Sequence, residues 1–145
     1  MLCHCLPVFI GCDQIELDSI QIMQNKAARI ITNFDIRTSR VEIFEKLRWM
    51  TVRQLAFFHT SLCTFRIRRQ REPEYLYEKM IQDNRLGKII VPNSRLSLAK
   101  KSYCFRGAVQ WNKIPADIRE CHTVCRFKTH LKSWILQNVP QFANE

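Results

Sequence analysis

Apolar residues in this chain recur mainly at helical spacing, and the recurrences start at residues that cap helices. That pairing constrains the fold more than any other feature. Asp13 with Glu16 has the form of a capping box, and Leu17, Ile20, Met23, Ala27, Ile30, Ile31 and Phe34 then follow along one face, predicting a helix over Gln14 to Asn33. The other face carries Asp18, Lys26, Arg29 and Asn33, and Ile22 among them suggests partial cover there too. Ser39 with Glu42 predicts a short second helix through Phe44 and Leu47. Thr51 with Gln54 opens a long third, with Val52, Leu55, Phe58, His59, Leu62 and Phe65 on its apolar face and Arg53, Thr60, Thr64, Arg68 and Arg71 opposite. Pro73 suits the first position of a short helix through Tyr75, Leu76 and Met80. Thr123 caps a last helix that presents Phe127, Leu131, Trp134 and Ile135 on one side and is closed by Pro140.

Between these halves the period shortens. Lys88 to Val91 is β-prone, Pro92-Asn93-Ser94 reads as a turn, and Ser97 to Phe105 is expected to pair back as a small β-hairpin. Phe105 to Asn112 reads as one or two helical turns, and Pro115 opens another. With 145 residues the chain matches one core, and with 46% hydrophobic residues, Gly 3 and Pro 5 it is neither disordered nor low in complexity. The expected fold class is mainly α: a single-domain helical bundle over 1–145, with a helical half over 1–82 and a small β-hairpin plus C-terminal helices over 83–145.

Several kinds of chemistry lack their sequence requirements. Gly11, Gly87 and Gly107 are too far apart to cradle a phosphate, so no nucleotide cofactor is expected. The five aspartates are scattered, whereas two-metal phosphoryl transfer needs carboxylates brought together. No Ser or Cys lies in a recognisable nucleophile elbow. Cys121, His122, Cys125 and His130 are zinc-type ligands, but Cys125 and His130 point about 140 degrees apart on a helix, so no metal is expected. Seven cysteines without framework spacing predict reduced thiols and an intracellular setting, nucleus or cytoplasm. Every candidate membrane span is interrupted by charged or amide residues, so no membrane partner is expected. Met1 to Cys12 is apolar but lacks a basic lead and carries Pro7; it reads as part of the fold, in a chain cut from something longer.

The charge balance points to a partner. Lys and Arg total 23 against 13 Asp and Glu, a net +10 that suits a polyanion. From Arg37 to Arg71 nine basic residues face two acids, and from Asn84 to Ala116 seven face none, so two segments hold the surplus. Arg66, Arg68, Arg69 and Arg71 are expected to surround an exposed helix end as a cationic knob, with a plain solvated helix end as the alternative. Of Trp49, Phe57, Tyr103, Phe105 and Trp111, most are expected in the core, although Phe57, on the polar side, suits stacking on bases.

Three ordered stretches also carry a family likeness. Leu6-Pro7-Val8-Phe9-Ile10-Gly11-Cys12 with Leu17, Ile20, Gln21 and Gln24-Asn25-Lys26-Ala27-Ala28-Arg29-Ile30-Ile31 is the first. Leu47-Arg48-Trp49-Met50-Thr51-Val52 with Pro73-Glu74-Tyr75-Leu76 is the second. Arg106-Gly107-Ala108-Val109-Gln110-Trp111-Asn112-Lys113-Ile114-Pro115, with Phe127-Lys128 and Leu131, is the third. Together they resemble the C-terminal, thumb and post-thumb region of reverse transcriptases from non-LTR (LINE-type, jockey-like) retrotransposons. The first stretch has Phe9 where the family usually has Trp, and the last has Ile114 in a Trp-Asn-x-Leu-Pro pattern.

The resemblance implies a fragment of an RNA-directed DNA polymerase without its catalytic palm, so not an enzyme on its own. It implies a basic surface gripping an RNA or RNA:DNA duplex weakly and non-specifically, and contacts with the absent palm and fingers. The residues expected to bind nucleic acid are Lys26, Arg29, Arg66, Arg68, Arg69, Arg71, Lys100, Lys101 and Arg106. The alternative is a degenerate remnant or protein-interaction module with no nucleic-acid role, which a large exposed apolar patch around Ile22 and the first twelve residues would favour.

Overall fold

A computed structural model describes residues 14–35, 37–80, 82–83 and 87–138. Among them the chain is a mainly α bundle of eight helices with one pair of two-residue strands. Helix α1 (Gln14–Thr32) ends at Asn33, and α2 (Arg40–Leu47) ends at Arg48. Helix α3 (Val52–Gln70) ends at Arg71. All three terminating residues have left-handed backbone, with φ between 50° and 58°.

The expected caps at Ser39 and Thr51 form. The Ser39 hydroxyl accepts from the Val41 N–H, and Thr51 with Gln54 makes the reciprocal box. Pro73 sits just before α4 (Glu74–Lys79) as its N-cap. The readings made for Met1 to Cys12, for Asp13 as a cap and for Pro140 lie outside the described residues.

The strands β1 (Gln82–Asp83) and β2 (Lys88–Ile89) are antiparallel, with Gln82 opposite Ile89 and Asp83 opposite Lys88. This corrects the expected hairpin: Lys88 pairs with chain before it, and Ser97 to Phe105 does not pair back. That stretch instead forms α5 (Ser97–Lys100) and the start of α6 (Tyr103–Lys113), because the Ser102 hydroxyl caps α6 by accepting from the Phe105 N–H. On its other side β2 is closed by a side chain. The Asn112 amide accepts from the Ile89 N–H at 2.9 Å and donates to the Ile89 carbonyl at 2.8 Å, as a neighbouring strand would. Pro115 leads into α7 (Ala116–Arg119), and the Thr123 hydroxyl, accepting from the Arg126 N–H, caps α8 (Val124–Gln137).

Helix α3 is the spine, packed against α1, α4, α6 and α8. Phe65 and Phe127 stack with ring centres 4.2 Å apart, Trp111 lies 5.9 Å beyond on Phe127, and Leu62, Leu131 and Ile135 close around them. The halves on either side of residue 82 therefore share this core: α3 comes from the first, α6 and α8 from the second.

Being covered on several sides overturns the expected split of α3. Thr60 and Thr64 are fully buried and Phe57, proposed for base stacking, is 4% exposed and packs on Trp134. Small hydroxyl side chains permit this: Thr60 Oγ1 donates back to the Ala56 carbonyl at 2.8 Å, and Thr64 meets the Tyr103 hydroxyl at 3.0 Å. Gly107 completes the close approach, since a Cβ there would stand 3.0 Å from Met80 Cε and 3.4 Å from Thr64 Oγ1.

Helix α1 keeps Leu17, Ile20 and Phe34 of its expected face half-buried and turns the rest of that face outward. Ala28 is its fully buried residue, whereas Ile15 is 79%, Ile30 80% and Ile31 60% exposed, with Ile22 and Met23 also more than half exposed. Much of its inward contact is polar. Gln21 Oε1 accepts from the Val52 N–H at 2.9 Å, Gln24 donates to the Met50 carbonyl at 2.9 Å, and Asp18 pairs with Arg53 at 2.9 Å. Ile31 therefore does not join the core of Leu62, Phe127 and Leu131, and Phe58 and Trp134 lie at its half-buried margin.

Candidate nucleic-acid interface

Of the nine basic residues expected to bind nucleic acid, Arg29, Arg68, Arg69 and Arg71 contact the fold, and most of the nine are exposed. Arg68 turns inward at the end of α3. Its guanidinium lies 4.8 Å from the centre of the Trp111 ring and donates to the Gly87 carbonyl at 3.2 Å. The same carbonyl accepts from the Trp111 indole at 3.0 Å. Gly87 has φ +58°, a conformation that favours glycine and that aims this carbonyl at both donors.

Arg69 donates to the His122 carbonyl, which ties α3 to the loop before α8. Arg71 forms the left-handed cap of α3 and lies 5.6 Å over the Tyr77 ring. Arg29 donates to the carbonyls of Asp35 and Thr38, both at 3.1 Å, holding the turn after α1. Of the expected knob, Arg66, Arg69 and Arg71 are exposed, whereas Arg68 is half-buried against Trp111 and the helix end has not left the core, since Ile67 is buried there.

Arg68 and Arg69 do share a cleft of about 470 Å³ with Arg119 and Trp111. The Arg68 pKa is lowered, first by burial and then by the neighbouring Arg119 charge. Arg119 also donates to the Ile114 carbonyl at 2.9 Å, so each of the three arginines holds a backbone carbonyl.

Lys26, Arg66 and Lys100 are exposed and Arg106 is half-buried; Lys101 caps α5 and is exposed. They do not make one patch with Lys26. Helix α1 reaches α3 at its start, through Asp18 and Arg53, and Arg66 lies about 20 Å further along α3 at 1.5 Å per residue.

Sequence reasoning missed Lys128. Arg66 on α3 and Lys128 on α8 flank His59, whose pKa is lowered by burial first, then by Lys128, then by Arg66. Burial is the main cause, and the two cations, from two packed helices, act on His59 in the same direction. Nothing in the local sequence pairs residue 128 with residue 66. The signal was indirect: both follow from aligning the buried faces of α3 and α8.

Elsewhere, the Tyr103 hydroxyl has its pKa raised by burial and is engaged with Thr64. Cys63, Cys104, Cys121 and Cys125 are free thiols, and no group of three metal-ligating side chains comes together among the described residues. No helix among them is long and apolar enough to cross a membrane. In comparisons with protein-family models, curated proteins and solved structures, nothing matches this chain.

Proposed function

We propose that this chain is a palm-less fragment of a retrotransposon-type RNA-directed DNA polymerase that grips an RNA or RNA:DNA duplex through its phosphates and performs no chemistry alone. The single observation that carries the binding claim is the pair of exposed cations, Arg66 and Lys128, on the packed helices α3 and α8, where their charges add to burial in lowering the His59 pKa. Such a pair suits phosphates and has no element for reading base edges. The Trp111-Asn112-Lys113-Ile114-Pro115 stretch contributes architecture: Trp111 and Asn112 hold Gly87 and Ile89, Ile114 is buried and Pro115 starts α7.

Fluorescence anisotropy with a labelled blunt RNA:DNA duplex at 50 to 200 mM salt tests the reading, together with primer extension on an RNA template. Salt-sensitive binding without extension is expected. Extension by a preparation free of other polymerases would contradict it, as would no duplex binding at the lowest salt.

A second reading has its own observation. The outward face of α1 exposes Ile15, Ile22, Met23, Ile30 and Ile31, which favours a protein-interaction module or remnant that packs on the absent palm. Failure to bind the duplex makes this the preferred reading.

A further inference from the structure

A cleft of about 530 Å³ opens between α2, the starts of α1 and α3, and the end of α8, at the opposite end of α3 from Arg66. Its size is ordinary for a small-ligand site. We propose that it binds one unpaired nucleotide of a single-stranded nucleic acid, with the base on the Trp49 indole and the phosphates at Arg40 and Arg48. This rests on the reading that the chain's partner is nucleic acid, but not on Arg66 or Lys128.

The aromatic wall is fixed in advance. Trp49 is half-buried and lies edge-on to Phe44, with ring centres 6.3 Å apart at 90°. Phe44 belongs to a buried cluster with Ala28 and Ile43. The backbone around the indole is pinned on each side: Trp49 N–H donates to the Phe44 carbonyl at 3.0 Å, the Met50 carbonyl accepts from Gln24, and Thr51 N–H donates to Gln54 Oε1. A ligand meets a ring that does not have to be ordered on binding, which favours affinity.

The charges are unequal in a useful way. Arg53 is engaged by Asp18, whereas Arg40 and Arg48 are exposed and their side chains make no hydrogen bond or ion pair among the described residues. Glu45 is the remaining acid on the wall, so the cleft keeps an excess of positive charge. Arg48 also occupies the left-handed position after α2, at φ 50°, where glycine or asparagine is the usual occupant. An aromatic face beside unpaired guanidinium groups is the combination that holds single strands, with the base stacked and the phosphate paired. In a blunt duplex every base face except those of the two terminal pairs is already stacked.

Fluorescein-labelled penta-uridylate and the blunt RNA:DNA duplex, each titrated against the full chain by anisotropy, test the assignment. Three variants are compared: Arg40→Gln with Arg48→Gln, Trp49→Leu, and Arg66→Gln with Lys128→Gln. The first two should each lose about tenfold or more in penta-uridylate affinity and keep duplex affinity; for Trp49→Leu this is the size of one base stack. The Arg66 and Lys128 variant should weaken the duplex more than the pentamer. The Arg40 and Arg48 pair, being exposed, keeps the test valid even if Trp49→Leu unfolds. Unchanged pentamer affinity in that pair overturns the cleft assignment, as does duplex binding without pentamer binding; in both cases the duplex-gripping reading stands. Binding of neither probe overturns both. Pentamer binding that falls with Trp49→Leu alone also overturns the assignment, because it leaves an apolar pocket without phosphate recognition.

Discussion

The two ends of α3 are held by different forces. Around its C-terminal two-thirds, Phe65, Trp111 and Phe127 are stacked and buried, and an arginine, Arg68, is drawn in as packing material. Around its N-terminus, α1 is held by amides and an ion pair, with Ala28, Ile43 and Phe44 as a small apolar cluster. Burial of aromatic area is cumulative and non-directional, whereas each amide bridge contributes a net ~0.5 to 1.5 kcal/mol and depends on geometry. The first end should therefore set the global stability and the second should open more readily. Charge does not follow this division: arginines bind carbonyls at both ends, Arg68 and Arg69 at one and Arg29 at the other, and exposed cations stand at both, Arg66 and Lys128 at one and Arg40 and Arg48 at the other.

The largest effect should come from the stacked core. Trp111→Ala or Phe127→Ala is expected to cost about 3 to 5 kcal/mol in urea unfolding, against within ~0.5 kcal/mol for Ile30→Ser or Ile31→Ser on the exposed face of α1. Similar losses at both sets of positions would erase the contrast.

Next comes the amide seam. Gln21→Ala with Gln24→Ala leaves the Val52 N–H and Met50 carbonyl without their partners and should cost about 1 to 3 kcal/mol, with faster amide exchange in α1 than in α8. Equal exchange in the two helices would contradict the weaker attachment of α1.

Among the arginines, Arg68→Gln loses a carbonyl bond and a stack on Trp111 and should cost about 1 to 3 kcal/mol, whereas Arg66→Gln should stay within ~0.5 kcal/mol. A thermal melt of each separates structural from free arginine.

The smallest effect concerns His59. Its folded pKa lies below the ordinary 6.5, so as pH falls through 6.5 the unfolded chain takes up the proton first and stability declines; above that pH the group has no influence. NMR titration should place His59 below 6.5, and Lys128→Gln should move it upward. A pKa unmoved by that change would separate Lys128 from the site.

Much of the bundle was legible from sequence because its signals are local. Thr51 with Gln54, Ser39 and Thr123 need only their own neighbours to cap a helix, and they do so. The faces of α1 and α3 were not legible, because burial there is decided by partners far along the chain. Thr60 and Thr64 look polar yet satisfy themselves locally and are buried where Tyr103 and Gly107 approach. The isoleucines of α1 look like a core face, but the contacts of that helix run through Gln21, Gln24 and Asp18. Likewise the partner of Lys88 and Ile89 precedes them, and Asn112 closes their other edge.

The candidate interface was half legible. A run of arginines is visible in sequence, but which are spent on carbonyls and rings depends on Gly87, His122, Trp111 and Tyr77. Lys128 gains meaning only once α8 lies against α3.

The most direct test of the account is the salt dependence of RNA:DNA duplex binding by the full chain and by the variant carrying Arg66→Gln and Lys128→Gln. Each phosphate neutralised contributes about 0.7 to 0.9 to the slope of log affinity against log salt, so this variant should bind more weakly with a slope flatter by one to two units. The melting temperature should be unchanged, since both side chains are exposed. An unchanged slope in the folded variant would contradict the claim that these two cations grip the duplex.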